Sequence, residues 1–295
     1  MFDFLIAMLT IASLYGLMAL GLNLQAGYAG LLNFGHIAFA GLGAYATGIL
    51  LQAGWSPLAG IGLGVLLAMA LGWCIARLGR QLGSDYWGIA TLAIAEILRV
   101  IATNEGWLTG GAQGIGAIPA LFENFSRQAN ALLFLCICLG TLLLAALACE
   151  RLAAGRFGRA LRLMREEPQL AACLGYDLTS LKSRAIMTGA AITAIAGSLY
   201  AHYMSFVGPD YLLASETFLL WTMLMIGGLG NTRGVLLGVV LVQAAYIMVP
   251  FAKDHLGFSS DLAGALRLGL IGVILLGCLL WRSEGLLPEQ VRKLP

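Results

Sequence analysis

Apolar runs of roughly 18 to 22 residues, divided by short polar breaks, recur along the whole of this chain. One water-soluble core cannot hide so many runs of that length, so lipid must be the solvent for most of the surface. Composition agrees: 60% of the 295 residues are hydrophobic and only 11% charged, where a soluble domain carries about a quarter charged. The fold class expected is all-α and integral to the membrane, a polytopic bundle of about 8–10 transmembrane helices forming a single domain over residues 1–295.

Reading the runs in order places nine spans near 4–24, 33–52, 57–76, 87–104, 130–149, 184–205, 215–230, 233–252 and 263–281. Only the turn from Gly227 to Gly234 divides the seventh from the eighth, which leaves room there for a broken or re-entrant helix. With the 150–183 loop in the cytoplasm, Arg77, Arg80, Arg151, Arg156, Arg159, Arg162, Arg165, Lys182, Arg184, Arg233, Arg282, Arg292 and Lys293 fall on that side. The opposite side keeps Arg127 and Lys253, while Arg99 and Arg267 lie within or at the ends of spans. The excess of basic residues on one side sets the orientation: N-terminus outside, C-terminus cytoplasmic. The opening MFDFLIAMLT has no basic segment before its apolar run, so it reads as a first span and not a cleaved signal.

Small residues recur at four-residue steps: Gly60, Gly64, Ala68 and Gly72; Ala40, Ala44 and Gly48; Gly189, Thr193, Gly197 and Ala201. Each series lines one helix face, as close helix packing in lipid requires. No internal repeat is visible.

Several chemistries are not supported. The six cysteines lie in or beside apolar runs with no CxxC, and the three histidines are far apart, so no metal site is expected. The three lysines, Lys182, Lys253 and Lys293, do not stand behind a phosphate-binding glycine loop, so this chain does not bind ATP by that route. Ser198 and His202 stand four apart but lack the context of an activated nucleophile. No catalytic residue and no nucleic-acid partner are expected.

Polar residues inside spans are the candidates for a pathway. Glu96 and Arg99 share one face of the fourth span, where a charge is a functional candidate by default. Each also offsets part of the other's cost, so a structural pair is the alternative. Asn23, Gln25, Asn33 and His36 cluster where the first two spans meet. They either line a path and satisfy a broken backbone at mid-depth, or hydrogen-bond helices together. Outside, Thr109, Gly110, Gly111 and Gly114 belong to a glycine-rich segment that offers a docking face, or else a flexible loop without contacts.

The loop from 150 to 183 is the one organised polar island. A helix near Phe157–Arg165 carries arginines around an apolar edge; Glu166, Glu167 and Pro168 then read as a second helix start. Leu170, Ala171, Ala172, Cys173 and Leu174 follow, and Gly175 is a fitting stop. Attraction to anionic lipid accounts for the charge but not for a capped turn with small apolar side chains, which suits docking into another protein.

The stretch LMREEPQLAACLGYDLTSLK resembles the cytoplasmic coupling segment of ABC-importer permeases, and more closely that of the LivM/LivH-type permeases of branched-chain amino acid importers, the M-type in particular. LNLQAGYAGLLNFGHIAFAGLGAY, YWGIATLAIAEILRVIATNEGWLTGGAQGIGAIP and MLMIGGLGNTRGVLLG are similar to that family in the same order. Two departures are visible: Ala172 and Cys173 stand where family members often carry an acid, and Pro168 where a less rigid residue is usual. The resemblance implies a permease subunit, not an enzyme, in a bacterial inner membrane. It implies four kinds of neighbour: a second, LivH-like permease, two cytoplasmic ABC ATPases holding ATP and Mg, an external solute-binding protein, and lipid. It also implies that Arg162, Arg165, Glu166, Glu167, Pro168, Leu170, Ala171, Ala172 and Gly175 form the ATPase-coupling loop, with no cofactor in this chain. Two alternatives stay open: the same ABC family carrying urea, amides or other amino acids, and an ion- or proton-coupled carrier using Glu96.

Overall fold

The computed structural model describes residues 2–80, 82–121, 126–256, 260–281 and 284–289. Arg282, Arg292 and Lys293 lie outside the described residues, as do the side chains of Arg127, Lys253 and Arg267. The helices are α1 (Phe2–Asn23), α2 (Ile37–Gln52), α3 (Pro57–Leu78), α4 (Ser84–Asn104), α5 (Gly106–Thr109), α6 (Arg127–Ala154), α7 (Arg156–Glu166), α8 (Pro168–Cys173), α9 (Leu178–Met204), α10 (Ala214–Gly227), α11 (Thr232–Leu256) and α12 (Ser260–Trp281). Local chemistry sets several ends. Ser56 caps α3 through the Ala59 amide with Pro57 in the first turn, and the Asp177 carboxylate accepts from the Thr179 and Ser180 amides to start α9.

Nine of the helices among the described residues stand on the nine expected spans, and five of them are long and apolar enough to cross a membrane alone. The second span differs from its expected bounds. It starts at Ile37 instead of residue 33, because α1 runs on as a π-helix over Leu24–Tyr28 and the chain then turns back non-helically. Its 16 residues reach only about 24 Å at 1.5 Å per residue, so α2 begins inside the bundle. The seventh and eighth spans form the expected irregular pair: α10 and α11 turn through 120° at their junction.

The small-residue series are packing faces. α9 is the hub, packed by α1, α2 and α3. A Cβ on Gly197 would collide with the Ala40 carbonyl, one on Gly43 with the Ala194 carbonyl, and one on Gly60 would lie 2.8 Å from the Thr47 Cα. Backbones therefore touch directly, which substitutes for the hydrophobic drive that lipid removes. Burial ranks the helices: 67% of the apolar window of α1 and of α9 is buried, against 28% for α3, α4 and α6. The first two form the centre and the last three face outward.

At one end, β1 (Ile115–Gly116) pairs antiparallel with β2 (Phe206–Val207), Ile115 opposite Val207. At the other end lie α7, α8, the α10–α11 turn and the segment 284–289.

Candidate functional site

The island folds as two short helices at a corner. α7 buries Gly158, Ala160, Leu161 and Met164, and Gly158 lies so tightly on the Ala153 backbone that a Cβ would collide. α8 starts at Pro168 and buries only Ala171. Leu170, Leu174 and Tyr176 stay 49%, 63% and 43% exposed. Gly175 ends it at φ +84°, while the amides of Gly175 and Tyr176 donate to the carbonyls of Ala172 and Ala171 at 3.0 and 3.1 Å. The result is an apolar knob on a seated base. Glu166, Glu167, Pro168 and Ala172 are exposed beside it.

The arginines do more than set orientation, which is all their pattern indicated. Arg162 donates from Nε to Glu289 at 2.6 Å, and Arg165 from Nη2 to the other oxygen of the same carboxylate at 2.7 Å. Arg162 also donates to the Ala153 carbonyl at 3.2 Å and stacks 5.3 Å from the Tyr28 ring. Arg165 reaches the Gly27 carbonyl and lies across Gly30, which needs its φ of +67° there. Burial opposes the Arg165 charge, but the Glu289 and Glu166 carboxylates outweigh it and hold its pKa above the usual guanidinium range. Arg156 and Arg159 remain exposed.

Glu289 was not visible as a site residue. Its side chain is only 13% exposed, and its segment is laced to the α10–α11 turn. Leu286 and Leu287 donate to the carbonyls of Ile226 and Gly227 at 2.8 and 3.0 Å, and Asn231 donates to Pro288 at 3.2 Å. The Gly230 amide in that turn donates to Asn23 at 2.9 Å. Thus α7, the end of α1, the α10–α11 turn and residues 284–289 form one polar knot. Charge-assisted pairs of this kind are about twice as strong as neutral ones. By contrast, the exposed Arg233–Glu150 contact at 3.2 Å contributes about 0–1 kcal/mol.

The four polar residues between the first two spans are all buried, but only Gln25 and Asn33 meet directly; Asn23 bonds the Gly230 amide and His36 bonds α1 and α9. Asn33 donates to Gln25 at 2.8 Å, Gln25 to the Ile186 carbonyl at 3.3 Å, and the Gly35 amide to Asn33 at 3.0 Å. His36 Nε2 lies 3.1 Å from the Met18 carbonyl and 2.8 Å from the Thr193 hydroxyl. Trp221 donates to the Asn33 carbonyl at 3.1 Å. Two of these bonds occupy backbone groups of the break between α1 and α2, the Gly35 amide and the Asn33 carbonyl, as buried polar groups require, while the buried His36 Nδ1 has no partner among the described residues.

Glu96 and Arg99 are not in that group. They pair on the outward face of α4, with contacts of 2.5 and 3.0 Å and side chains 49% and 29% exposed. Ser198 donates to the Gly43 and Ala194 carbonyls and His202 bonds the Pro119 carbonyl through Nδ1, so the two do not meet. A cavity of about 750 Å³ beside His202 is lined by Asp3, Thr10, Gln128, Asn130 and Tyr203 among others.

At the strand-bearing end, the glycine-rich segment is folded, not loose. Thr109 donates to the Ala102 and Glu105 carbonyls at 2.7 and 2.8 Å. Gly110, Gly111 and Gly114 take φ of +75°, +63° and +69°, which only glycine adopts freely. They deliver Ile115 into an apolar cluster with Ile118, Val207 and Leu212. Trp107 stands 83% exposed beside them.

A family model described as "Branched-chain amino acid transport system / permease component" matches residues 4–279. The chain is 30% identical to a probable branched-chain amino acid transport permease protein LivM of Methanocaldococcus jannaschii, over 94% of this chain and 91% of the relative. It is 29% identical to the high-affinity branched-chain amino acid transport system permease protein LivM of Escherichia coli, over 95% and 69%. With the corresponding LivH of Escherichia coli the identity is 26%, over 85% and 88%. No solved structure matches.

Proposed function

We infer the function from one premise: the chain belongs to the family of branched-chain amino acid transport system permease components. It is a transport subunit and not an enzyme. On that basis we read it as the permease of an ATP-driven importer that carries branched-chain or related apolar amino acids. Its partners are a second, LivH-like permease, two cytoplasmic ATPases and an external binding protein.

The observation that carries this reading is the α7–α8 corner. α8 offers Leu170, Leu174 and Tyr176 to a partner, while its base is tied through Arg162, Arg165 and Glu289 to α1 and to the α10–α11 turn. A push on α8 is therefore delivered to helices in the middle of the bundle. The exposed knob suits the groove of an ATPase, with ATP and Mg held on that subunit. The corner belongs in the cytoplasm, by the positive-inside argument, which puts the N-terminus and Trp107 outside. There the rigid turn at Thr109, Gly110, Gly111 and Gly114 serves as a docking face for the binding protein. Asn23, Gln25, Asn33 and His36 act as the latch that holds the broken α1–α2 corner. A proton-coupled carrier is less well supported, since Glu96 is held by Arg99 at 2.5 Å.

The test is reconstitution with the second permease, the ATPases and the binding protein in vesicles. Leucine uptake is expected to need ATP and all the subunits. Uptake by this chain alone, driven by a proton gradient, would overturn the reading.

A further inference from the structure

The pair Glu96–Arg99 is in the wrong place for a structural salt bridge. α4 runs 21 residues, about 31 Å at 1.5 Å each, and Glu96 is near its middle. Ionised side chains within a span almost always face protein or a water-filled cavity instead of acyl chains. This pair instead faces outward from the single chain, with Glu96 half exposed. Something other than lipid covers that face.

The rest of α4 agrees. Tyr86, Ile89, Ala93, Glu96 and Val100 are all exposed and follow the three–four spacing of a helix-packing seam. On its inner side α4 leans chiefly on the short turns at Gly111–Gln113 and Pro209–Leu212, not on a long helix. Arg99 spends Nε and Nη2 on Glu96, and Nη1 has no hydrogen-bond partner among the described residues.

We propose that the outward seam of α4 packs against the second permease, and that Glu96 and Arg99 line a substrate passage formed there, receiving the two charges of an amino-acid zwitterion. The ligand's carboxylate takes the guanidinium edge of Arg99, and its ammonium takes the carboxylate of Glu96. With no ligand present the two side chains satisfy each other, so the passage holds no uncompensated charge. An amino acid exchanges one ion pair for two without a net change in charge. The small Ala93 leaves room for an aliphatic side chain, and Ile97 and Val100 give it an apolar surface. The site is incomplete without the second permease, and the inference rests on the importer reading above.

The experiment uses the complete complex in vesicles. Glu96→Gln with Arg99→Met, made together, removes both charges, and a pair kept only for structure should tolerate that. The double variant is expected to assemble and to lose leucine uptake at least tenfold, while the ATPase still responds to loaded binding protein. Ile89→Cys, carrying a thiol-attached photo-cross-linker in a complex without other cysteines, is expected to cross-link to the second permease. Uptake within twofold of the unaltered complex, or an Ile89→Cys variant labelled by a lipid-borne reagent and never cross-linked, would overturn the proposal. Failure of the unaltered complex to take up leucine with ATP would instead count against the importer reading.

Discussion

Gly60 and Gly62 lie two apart on α3, and their surroundings could hardly differ more. A Cβ on Gly60 would sit 2.8 Å from the Thr47 Cα, while one on Gly62 meets nothing within 4 Å. Gly60→Leu is expected to cost about 1–3 kcal/mol through overpacking and Gly62→Leu almost nothing, read as thermal stability of the purified protein. Equal melting temperatures would contradict the packing of α2 on α3. The four-residue step pointed to Gly60 and not to Gly62, because a repeated step on a helix selects one face. No such step marks Glu289. It is one acid near the end of the chain, and its partners Arg162 and Arg165 lie 127 and 124 residues away. A single carboxylate has no period, so only folding identifies its role.

At the scale of elements, the island was legible in outline. Glu167, Pro168 and Gly175 mark the start and stop of α8 by rules that act within a few residues. Its seating was not, because that depends on three separate parts of the chain. Glu289→Ala is expected to leave α7 and α8 helical but to release residues 284–289 from the α10–α11 turn. Hydrogen exchange over Ile226–Gly230 should rise, and transport should fall at least fivefold while ATP hydrolysis continues. Unchanged exchange there would mean that the lacing bonds of Leu286, Leu287 and Asn231 suffice alone. Leu174→Asp tests the knob itself: exposed in the free chain, it should leave insertion and stability within about 0.5 kcal/mol yet weaken ATPase binding. Normal ATPase retention in that variant would remove α8 from the interface. The second span shows the limit of hydropathy. Residues 33–36 are apolar enough in context to extend α2, but Asn33 and His36 are bound to Gln25, Met18 and Thr193, and the helix starts only after them.

For the whole molecule, the two ends carry different chemistry, and the positive-inside argument gives them sides. Cys173, exposed on α8, should react with a membrane-impermeant maleimide only in inside-out vesicles, in a variant whose other cysteines are replaced. A Trp107→Cys variant should react only from the opposite side. Labelling of both from one side would contradict a single transmembrane orientation. Glu96 and Arg99 were legible as charges in a span, yet periodicity cannot say whether a helix face meets its own bundle or another chain.

The sequence by itself determined the membrane solvent, the approximate spans, the small-residue faces and the α8 corner. These follow from hydropathy and helical period, both of which act over one or two turns. The closed knot around Gln25, Asn33 and His36, the Glu289 clamp and the outward face of Glu96 were decided only by the tertiary structure. Each depends on which distant backbone a side chain meets, and in lipid that is settled by packing shape and hydrogen-bond satisfaction instead of by apolarity, which nearly every helix here shares.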